Sequence, residues 1–429
     1  RPGLLWMDRR SEKECDWLRA NVGQDLVFKI NGNHIDPSNI APKLLWIKAN
    51  EPEVYEKARC FLHANGYLVY KLTGRLSMDI SEGGLTHLFD TAKGEWSSEL
   101  LEACGIDRAK LPEIYSCSQV VGGVTAEAAS ATGLLSGTPV VAGAMDMVAS
   151  ALGAGALASG QAYVAAGTVT AVGVCLDEVR YHQDFHIYHH AVPGKWILAA
   201  GVDFGGGSLR WFRDQFSVLG RFSGISSFSG MAGEVPIEAP SDDDGLSYEE
   251  LYKHASTSEP GASGLIFLPY MAGNRAPLWD TYARGVMFGL APFHTVGDFI
   301  RALMEGNAFG VADILHRVEE IGFKVEELRL TGGCSKVPLW SQIFADITGK
   351  RIFIPDIEEV AAYGAAILGG LGVGIFSDEK DVLKSLRTRE TYCPRTEYAG
   401  VYSHLYRVFK KVYSDLKGDF KLLAEETDL

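Results

Sequence analysis

Basic surface is scarce in this chain. Against 54 Asp and Glu stand 40 Lys and Arg, a formal net charge of −14 over 429 residues. No basic stripe interleaved with aromatics appears, which argues against nucleic acid as a partner. Cysteine is sparse too: seven, an odd number, scattered and without a C-x-x-C pair. That pattern excludes a disulfide framework or a zinc knuckle and fits reduced thiols in a cytoplasm. Low-complexity stretches are absent. So are a G-x-x-x-x-G-K-[ST] phosphate loop and a dinucleotide fingerprint. One long stretch, Met147 to Leu176, carries no Asp, Glu, Lys or Arg. Its five glycines, with Ser150, Gln161, Thr168 and Thr170, make it too weakly apolar for a membrane span, so a buried, turn-rich core segment is expected. There is no initiator Met and no signal-peptide pattern. The opening Leu4-Leu5-Trp6 reads as a strand already under way, with residues missing upstream.

What is present is globular: 47% hydrophobic, 22% charged, and 48 glycines, more than average and suited to loops that approach a ligand. The length predicts two or three domains. Amphipathic helices are expected over Ser11–Asn21, as a pair within Glu51–Leu72, and over Trp96–Gly105. Pro139–Gly143 reads as a short buried strand, and Gln161–Cys175 alternates as a hairpin about Gly167-Thr168. Trp196–Ala200 is another strand, with a helix from Ser208. Arg221–Ser247 is a polar, Gly/Ser-rich excursion, and Asp298–Ile321 is one long helix. No fixed-period repeat is visible. A boundary near Gly153–Gly160 divides the chain into 1–155 and 156–429.

Three glycine turns follow strands: Gly167-Thr168, Gly205-Gly206-Gly207 and Gly332-Gly333. The last is the most informative. Glu327–Leu330 runs as a strand into Gly332-Gly333, then a helix begins with Ser335 as its expected N-cap and Pro338 in the first turn. Trp340, Ile343, Phe344 and Ile347 form its apolar face. A strand at Arg351–Ile354 and a small-residue helix at Val360–Leu368 complete the unit. Such turns let a ligand meet bare backbone N–H groups, and they serve equally well as packing turns. Asp146 lies just past the Pro139–Gly143 strand, where open α/β sheets place ligands. Between Met145 and Met147 its carboxylate is expected to be partly desolvated, as an acceptor for a hydroxyl proton or as a turn or helix cap. His182, His186 and His190 would share one face of a strand, too far apart for one ion; the polar face of a surface strand is the expectation, and no metal site is assigned. Lys410-Lys411 and the acidic tail read as solvated charge.

Taken together, five ordered segments resemble the FGGY carbohydrate kinases: VVAGAMDMVASALGAGA, AAGTVT, GGGSLRWFRD, GLIFLPYMAGNRAPLWDTYARGVMFGL with DFIRALMEGNAF, and LTGGCSKVPLWSQIFADITGKRIFIP with GAAILGG. LLWMDRR, YKLTG and TAKGEWSSELLEACGIDRAKLPEI are most similar to the xylulokinase branch. The resemblance implies an α/β chain of two actin-like (ribonuclease-H-like) domains with a catalytic cleft between them, the first incomplete at its N-terminus. It implies transfer of the γ-phosphoryl group of ATP, with Mg2+, to a hydroxyl of a small sugar or polyol such as a ketopentose. By the same resemblance Asp146 is the catalytic base and Trp6, Asp8 and Met147 are substrate-binding. Gly167, Thr168, Gly206, Gly332, Gly333 and Val337 are nucleotide-binding. No nucleic acid or membrane partner is implied, and a homodimer is an oligomeric state left open. Trp6 has core packing as its other reading.

Departures from the family pattern stand at three places. Met147 occupies a position that is commonly Asn or Gln, Asn274 replaces the Glu of G-E-R, and Val337 replaces an Asn. The family's N-terminal D-x-G-T loop has no counterpart, so a chain of these residues alone is expected to be inactive or part of a longer protein. An actin-like ATPase and a non-catalytic sugar-binding homologue are the competing readings.

Overall fold

The computed structural model describes residues 2–216 and 247–427; apart from Ser247, the expected excursion over 221–247 lies outside the described residues. A seven-stranded sheet forms the centre: β1 (Gln161–Ala166), β2 (Thr170–Leu176), β3 (His186–His189), β4 (Trp196–Val202), β5 (Glu327–Thr331), β6 (Arg351–Pro355) and β7 (Thr388–Tyr392). Across the sheet the order is β7-β6-β5-β1-β2-β4-β3. β1 and β2 are the expected hairpin, with Ala166 opposite Thr170. β5 runs parallel to β1 and to β6, whereas β4 is antiparallel to β2 and β3.

Residue alternation on the strands explains why helices cover both faces. Ala162, Val164 and Ala166 of β1 face one apolar cluster, built with Ile300, Leu303 and Met304 of the helix Val296–Glu320 and Phe344 of Pro338–Thr348. Tyr163 and Ala165 face the other, with Val148 and Leu152 of the helix Asp146–Ala154 and Ile367 and Leu368 of Val360–Gly372. The long helix starts at a capping box in which Thr295 and Asp298 satisfy each other's backbone N–H. Pro338 does open its helix, but Val337, not Ser335, is the N-cap residue. The Ser335 hydroxyl is spent inside the turn Gly333–Lys336, donating to the Gly332 carbonyl at 2.8 Å.

The first part of the chain is mostly helical, with short strand pairs. Ser77–Asp79 lies parallel to Glu113–Tyr115, and Val120–Gly123 antiparallel to Pro139–Val141. The expected buried strand at 139–143 is therefore only Pro139–Val141, exposed to half-buried, because it pairs with one neighbour and is not sandwiched. Residues 2–10 form loop and turn instead of a strand, closed by Asp8 N–H to the Leu5 carbonyl at 3.0 Å. Asn33, fully buried, ties this part to the sheet: its amide NH2 donates to the Ile187 carbonyl at 3.1 Å and its oxygen accepts from Ile187 N–H at 3.0 Å. The side chain thus pairs with β3 as a neighbouring strand would.

That pairing overturns the expected histidine surface. β3 holds His186 to His189, and His189 and His190 are buried. Burial pushes His186, His189 and His190 each down to about 4, and does the same to His87. These rings fold neutral, as structural groups.

The helix Asp146–Ala154 meets Val360–Gly372 backbone to backbone. A Cβ on Gly153 would stand 2.0 Å from the Val360 carbonyl oxygen, and one on Gly364 would stand 1.9 Å from that of Ala149. Only glycine permits this approach. Among the described residues no helix is long and apolar enough to cross a membrane.

Gly364→Ala must push the two helices apart and is expected to cost about 1–3 kcal/mol, read from urea denaturation. The neutral histidines make stability depend on pH. Between pH 6.5 and about 4 the unfolded chain takes up protons that these four rings refuse when folded. Asp79, raised to about 7, and the raised His63 and Glu305 bind their protons more tightly when folded and oppose them, but the lowered His316 joins the four rings and the histidines remain in the majority. The urea midpoint is expected to fall as pH drops from 6.5 to 4; a flat profile would contradict the assignment.

Candidate active site

The three glycine turns sit together where β1, β4 and β5 end, and they brace one another. Gly206 N–H donates to the Gly167 carbonyl at 3.0 Å, and Gly207 N–H to that of Thr168 at 2.9 Å. A Cβ on Gly206 would lie 2.3 Å from the Gly167 oxygen, and one on Gly332, at φ +82°, 2.7 Å from the Ala166 oxygen. Bare backbone at these positions is required by the loops' contact with each other. Gly333 differs: nothing lies within 4 Å of its would-be Cβ. Thr168, Gly332 and Gly333 are exposed. The last two line a cleft of about 350 Å³ with Thr331, Lys336, Glu358 and Arg389. Lys336 and Glu358 pair across it at 3.1 Å.

Asp146 is the first residue of its helix and is exposed. The expected desolvation by flanking methionines does not occur, because Met145 and Met147 turn inward onto the core beneath the sheet. Met147 Cε lies 3.0 Å from the would-be Cβ of Gly173 on β2, so the side chain packs against the sheet. Asp146 Oδ1 accepts from Met147 N–H at 2.6 Å. Tyr163 of β1 lies between this helix and β5, buried in the same cluster as Val148 and Leu152. Burial pushes its hydroxyl up, and the Asp146 charge adds to the effect.

Trp6 is 63% exposed, which removes the core-packing reading. The Arg275 guanidinium lies 5.8 Å from its ring centroid. Arg275 is itself clasped by Asp203, with 2.7 Å from its terminal nitrogen to Oδ1 and 2.7 Å from its backbone N–H to Oδ2. Asp8 pairs with Arg10 at 2.8 Å. Arg275, Glu82 and Asp146 all act on the buried Tyr188 hydroxyl, which burial raises first, Arg275 lowers, and the two carboxylates raise further. Trp6, Arg275 and Asp146 therefore share one neighbourhood.

Behind Asp146 lies a buried polar cluster that periodicity gave no reason to single out. Met145 N–H donates to Ser81 Oγ at 2.8 Å. Ser81 Oγ in turn donates to Asp79 in a short hydrogen bond. His63 Nδ1 meets Glu82 at 2.5 Å. Burial, then the Glu82 charge, push the Asp79 carboxyl up to about 7. His63 is pulled down by burial but ends raised, because Glu82 outweighs it. Asp79-x-Ser81 carries a capping signature, but its partner is 64 residues away in sequence.

Two of the departures now have structural reasons. Asn274 is buried and stitches its segment to the end of β4, donating to the Gly201 carbonyl at 3.1 Å and accepting from Asp203 N–H at 3.0 Å. Val337 is 6% exposed and belongs to the core beside Trp340, so its side chain packs inward and does not line the cleft. A larger groove, about 560 Å³, opens between Arg19, His34, Gln183, Trp279, Arg317 and Lys417. None of the sequence-predicted site residues lines it.

Comparison with known proteins matches this arrangement to a family. The N-terminal domain of the FGGY family of carbohydrate kinases matches residues 1–153, and the C-terminal domain of the same family matches residues 162–373. The chain belongs to the FGGY family of carbohydrate kinases. It is 30% identical over 420 residues to the xylulose kinase of Escherichia coli (strain K12), covering 97% of this chain and 80% of that protein. To the gluconokinase of Bacillus subtilis (strain 168) it is 28% identical over 426 residues, 99% and 80% of the two chains. The crystal structure of xylulose kinase from Rhodospirillum rubrum superposes with a TM-score of 0.83 at 27% identity, over 96% of this chain and 79% of that one. The FGGY chain thus has the two-domain, actin-like fold that its motifs implied.

The two kinds of glycine can be separated by substitution. Gly206→Ala is expected to lower the urea midpoint by the equivalent of about 1–3 kcal/mol, because the Gly167 turn must give way. Gly333→Ala is expected to stay within about 0.5 kcal/mol of the parent.

Proposed function

We propose that the protein transfers the γ-phosphoryl group of ATP to a hydroxyl of a small neutral sugar, a ketopentose such as xylulose. The observation that carries this reading is Asp146: an exposed carboxylate at the start of a helix that packs on β1, the strand leading into the Gly167 turn. Phosphoryl transfer needs positioning, charge stabilisation and an acceptor for the hydroxyl proton. Asp146 is that acceptor. Thr168 offers an exposed hydroxyl and backbone N–H to the phosphates, and the bare backbone at Gly332 and Gly333 admits the nucleoside. The open face of Gly333, with no atom within 4 Å, fits a ligand approaching the chain closely. ATP supplies the phosphoryl group and its leaving diphosphate. Among the described residues no three His, Cys, Asp or Glu are grouped to hold a metal. Magnesium keeps several waters and binds through phosphates and one or two carboxylates, so a protein cage is not required. In this reading residues 1–155 carry the sugar side and residues 156–429 the nucleotide side, and closure between them excludes water.

The choice of a neutral sugar rests on charge and on the kinship with xylulose kinases. Three cations of this part of the molecule already have carboxylate partners: Arg275 has Asp203, Arg10 has Asp8, and His63 has Glu82. An aldonate would bring another carboxylate to a region that holds Asp79, Glu82 and Asp146. Trp6 presents an apolar ring face for sugar C–H groups. Met147, turned to the sheet, gives the sugar no side-chain hydrogen bond.

ADP release measured over xylulose, gluconate and glycerol is expected to give the highest kcat/KM with xylulose; a preference for gluconate would overturn the sugar assignment. Asp146→Asn is expected to reduce kcat by about 10²–10⁴-fold while ATP still binds. Near-normal turnover of that variant, or sugar binding with no ADP release by the parent protein, would sink the reading.

A further inference from the structure

We propose that Ser81, oriented by Asp79, is a positioning residue for the catalytic step: it fixes the start of the helix that carries Asp146 and so sets the aim of that carboxylate. The proposal rests on the reading of Asp146 as the base.

The N-cap residue of the helix Asp146–Ala154 is Met145, which makes no side-chain cap; the one local side-chain bond at this end is Met147 N–H to Asp146 Oδ1. Further polar support comes from elsewhere in the chain, through the Met145 N–H to Ser81 Oγ bond at 2.8 Å. Ser81 is fully buried, and its hydroxyl has one proton to give. That proton goes to Asp79 Oδ1, which leaves the oxygen lone pairs free to accept from Met145. Asp79 is held in turn on both oxygens: Oδ1 also accepts from Ser81 N–H at 3.0 Å, and Oδ2 from Asn65 Nδ2 at 2.5 Å. Turning the Ser81 side chain away from Met145 also breaks its hydrogen bond to the buried Asp79. The direction of transmission is short, since Met145 is covalently adjacent to Asp146. At the other end of this helix Gly153 and Gly364 prevent it from sliding. The helix is therefore held at its far end by backbone contact, and at its near end by the packing of Met145 and Met147 and by one polar tie, the Ser81 hydroxyl. Loss of the hydroxyl loosens only the near end, where the carboxylate is.

Positioning errors of about 1 Å cost on the order of 100-fold in rate when a reacting group is misaimed. In the parent protein with xylulose, Ser81→Ala is expected to lower kcat by about 10–100-fold, with KM for ATP and for sugar changed less than about threefold. Ser81→Thr, which restores the hydroxyl, is expected to recover kcat to within about threefold of the parent. Ser81→Cys keeps nearly the volume but offers a weak acceptor, and it carries the test by the same criteria if the alanine variant does not fold. A kcat for Ser81→Ala within about twofold of the parent overturns the proposal. So does a parallel fall of kcat, both affinities and the unfolding midpoint, which marks a merely structural role. Asp146→Asn, run alongside, separates the two claims. Turnover that survives in Asp146→Asn removes the base and this inference together, whereas turnover lost there but intact in Ser81→Ala overturns the inference alone.

Discussion

Backbone pressed against backbone, at positions where a single methyl group cannot fit, is the constraint from which the rest of this molecule follows. Gly153 against Val360 and Gly364 against Ala149 bring the Asp146 helix into direct register with the helix that follows β6. Gly206 against Gly167 and Gly332 against Ala166 do the same for the three turns at the ends of β1, β4 and β5. Side-chain packing can relax by a rotamer change; a carbonyl oxygen 2 to 3 Å from a would-be Cβ cannot without moving a whole element. Main-chain contacts thus fix the Asp146 helix against its neighbour and the three turns against one another.

The parts of the fold legible in the sequence were those with local causes. The β1–β2 hairpin, the helix Val296–Glu320 and the β5–turn–helix unit each declare themselves by periodicity within a short window, and the structure has all three. Of the candidate site, Asp146 and the glycine turns stand out in the sequence by their places just past strands, though each alone serves equally well as a cap or a packing turn. What local reading missed was set at a distance. His182, His186 and His190 are spaced as one face of a surface strand, but partners far off in sequence cover the segment: Asn33 at His186 and Ile187, Phe89 at His189, Ala156 at His190. Val337 follows a glycine turn, so it reads as cleft lining; its burial beside Trp340 is decided by the tight turn that Ser335 closes. Ser335 itself was taken for a cap because serine before proline is a capping pattern, while its hydroxyl had a nearer carbonyl to use.

Electrostatics divides the molecule in a complementary way. Around Asp146 the carboxylates outnumber the cations left to balance them, and Asp79, Glu82 and His63 form a buried polar group in which one ring faces two acids. On the nucleotide side the turns carry no acid of their own, and the charged pair that borders the cleft, Lys336 with Glu358, sits at its rim. In the proposed reaction the hydroxyl to be activated and the phosphate to be moved would face environments of opposite character, which suits a reaction that draws a proton one way and stabilises negative charge the other.

The amide of Asn33 has a consequence for how the chain folds. β3 is the last strand of the sheet, and its open edge is closed by a side chain that lies 154 residues upstream in sequence. An uncovered edge is a template for pairing with another chain. While the sheet forms, that edge stays available until the helical first part of the protein has reached its native shape and delivered Asn33. In the folded chain the first part thus shields the second from the edge-to-edge pairing that an open strand invites.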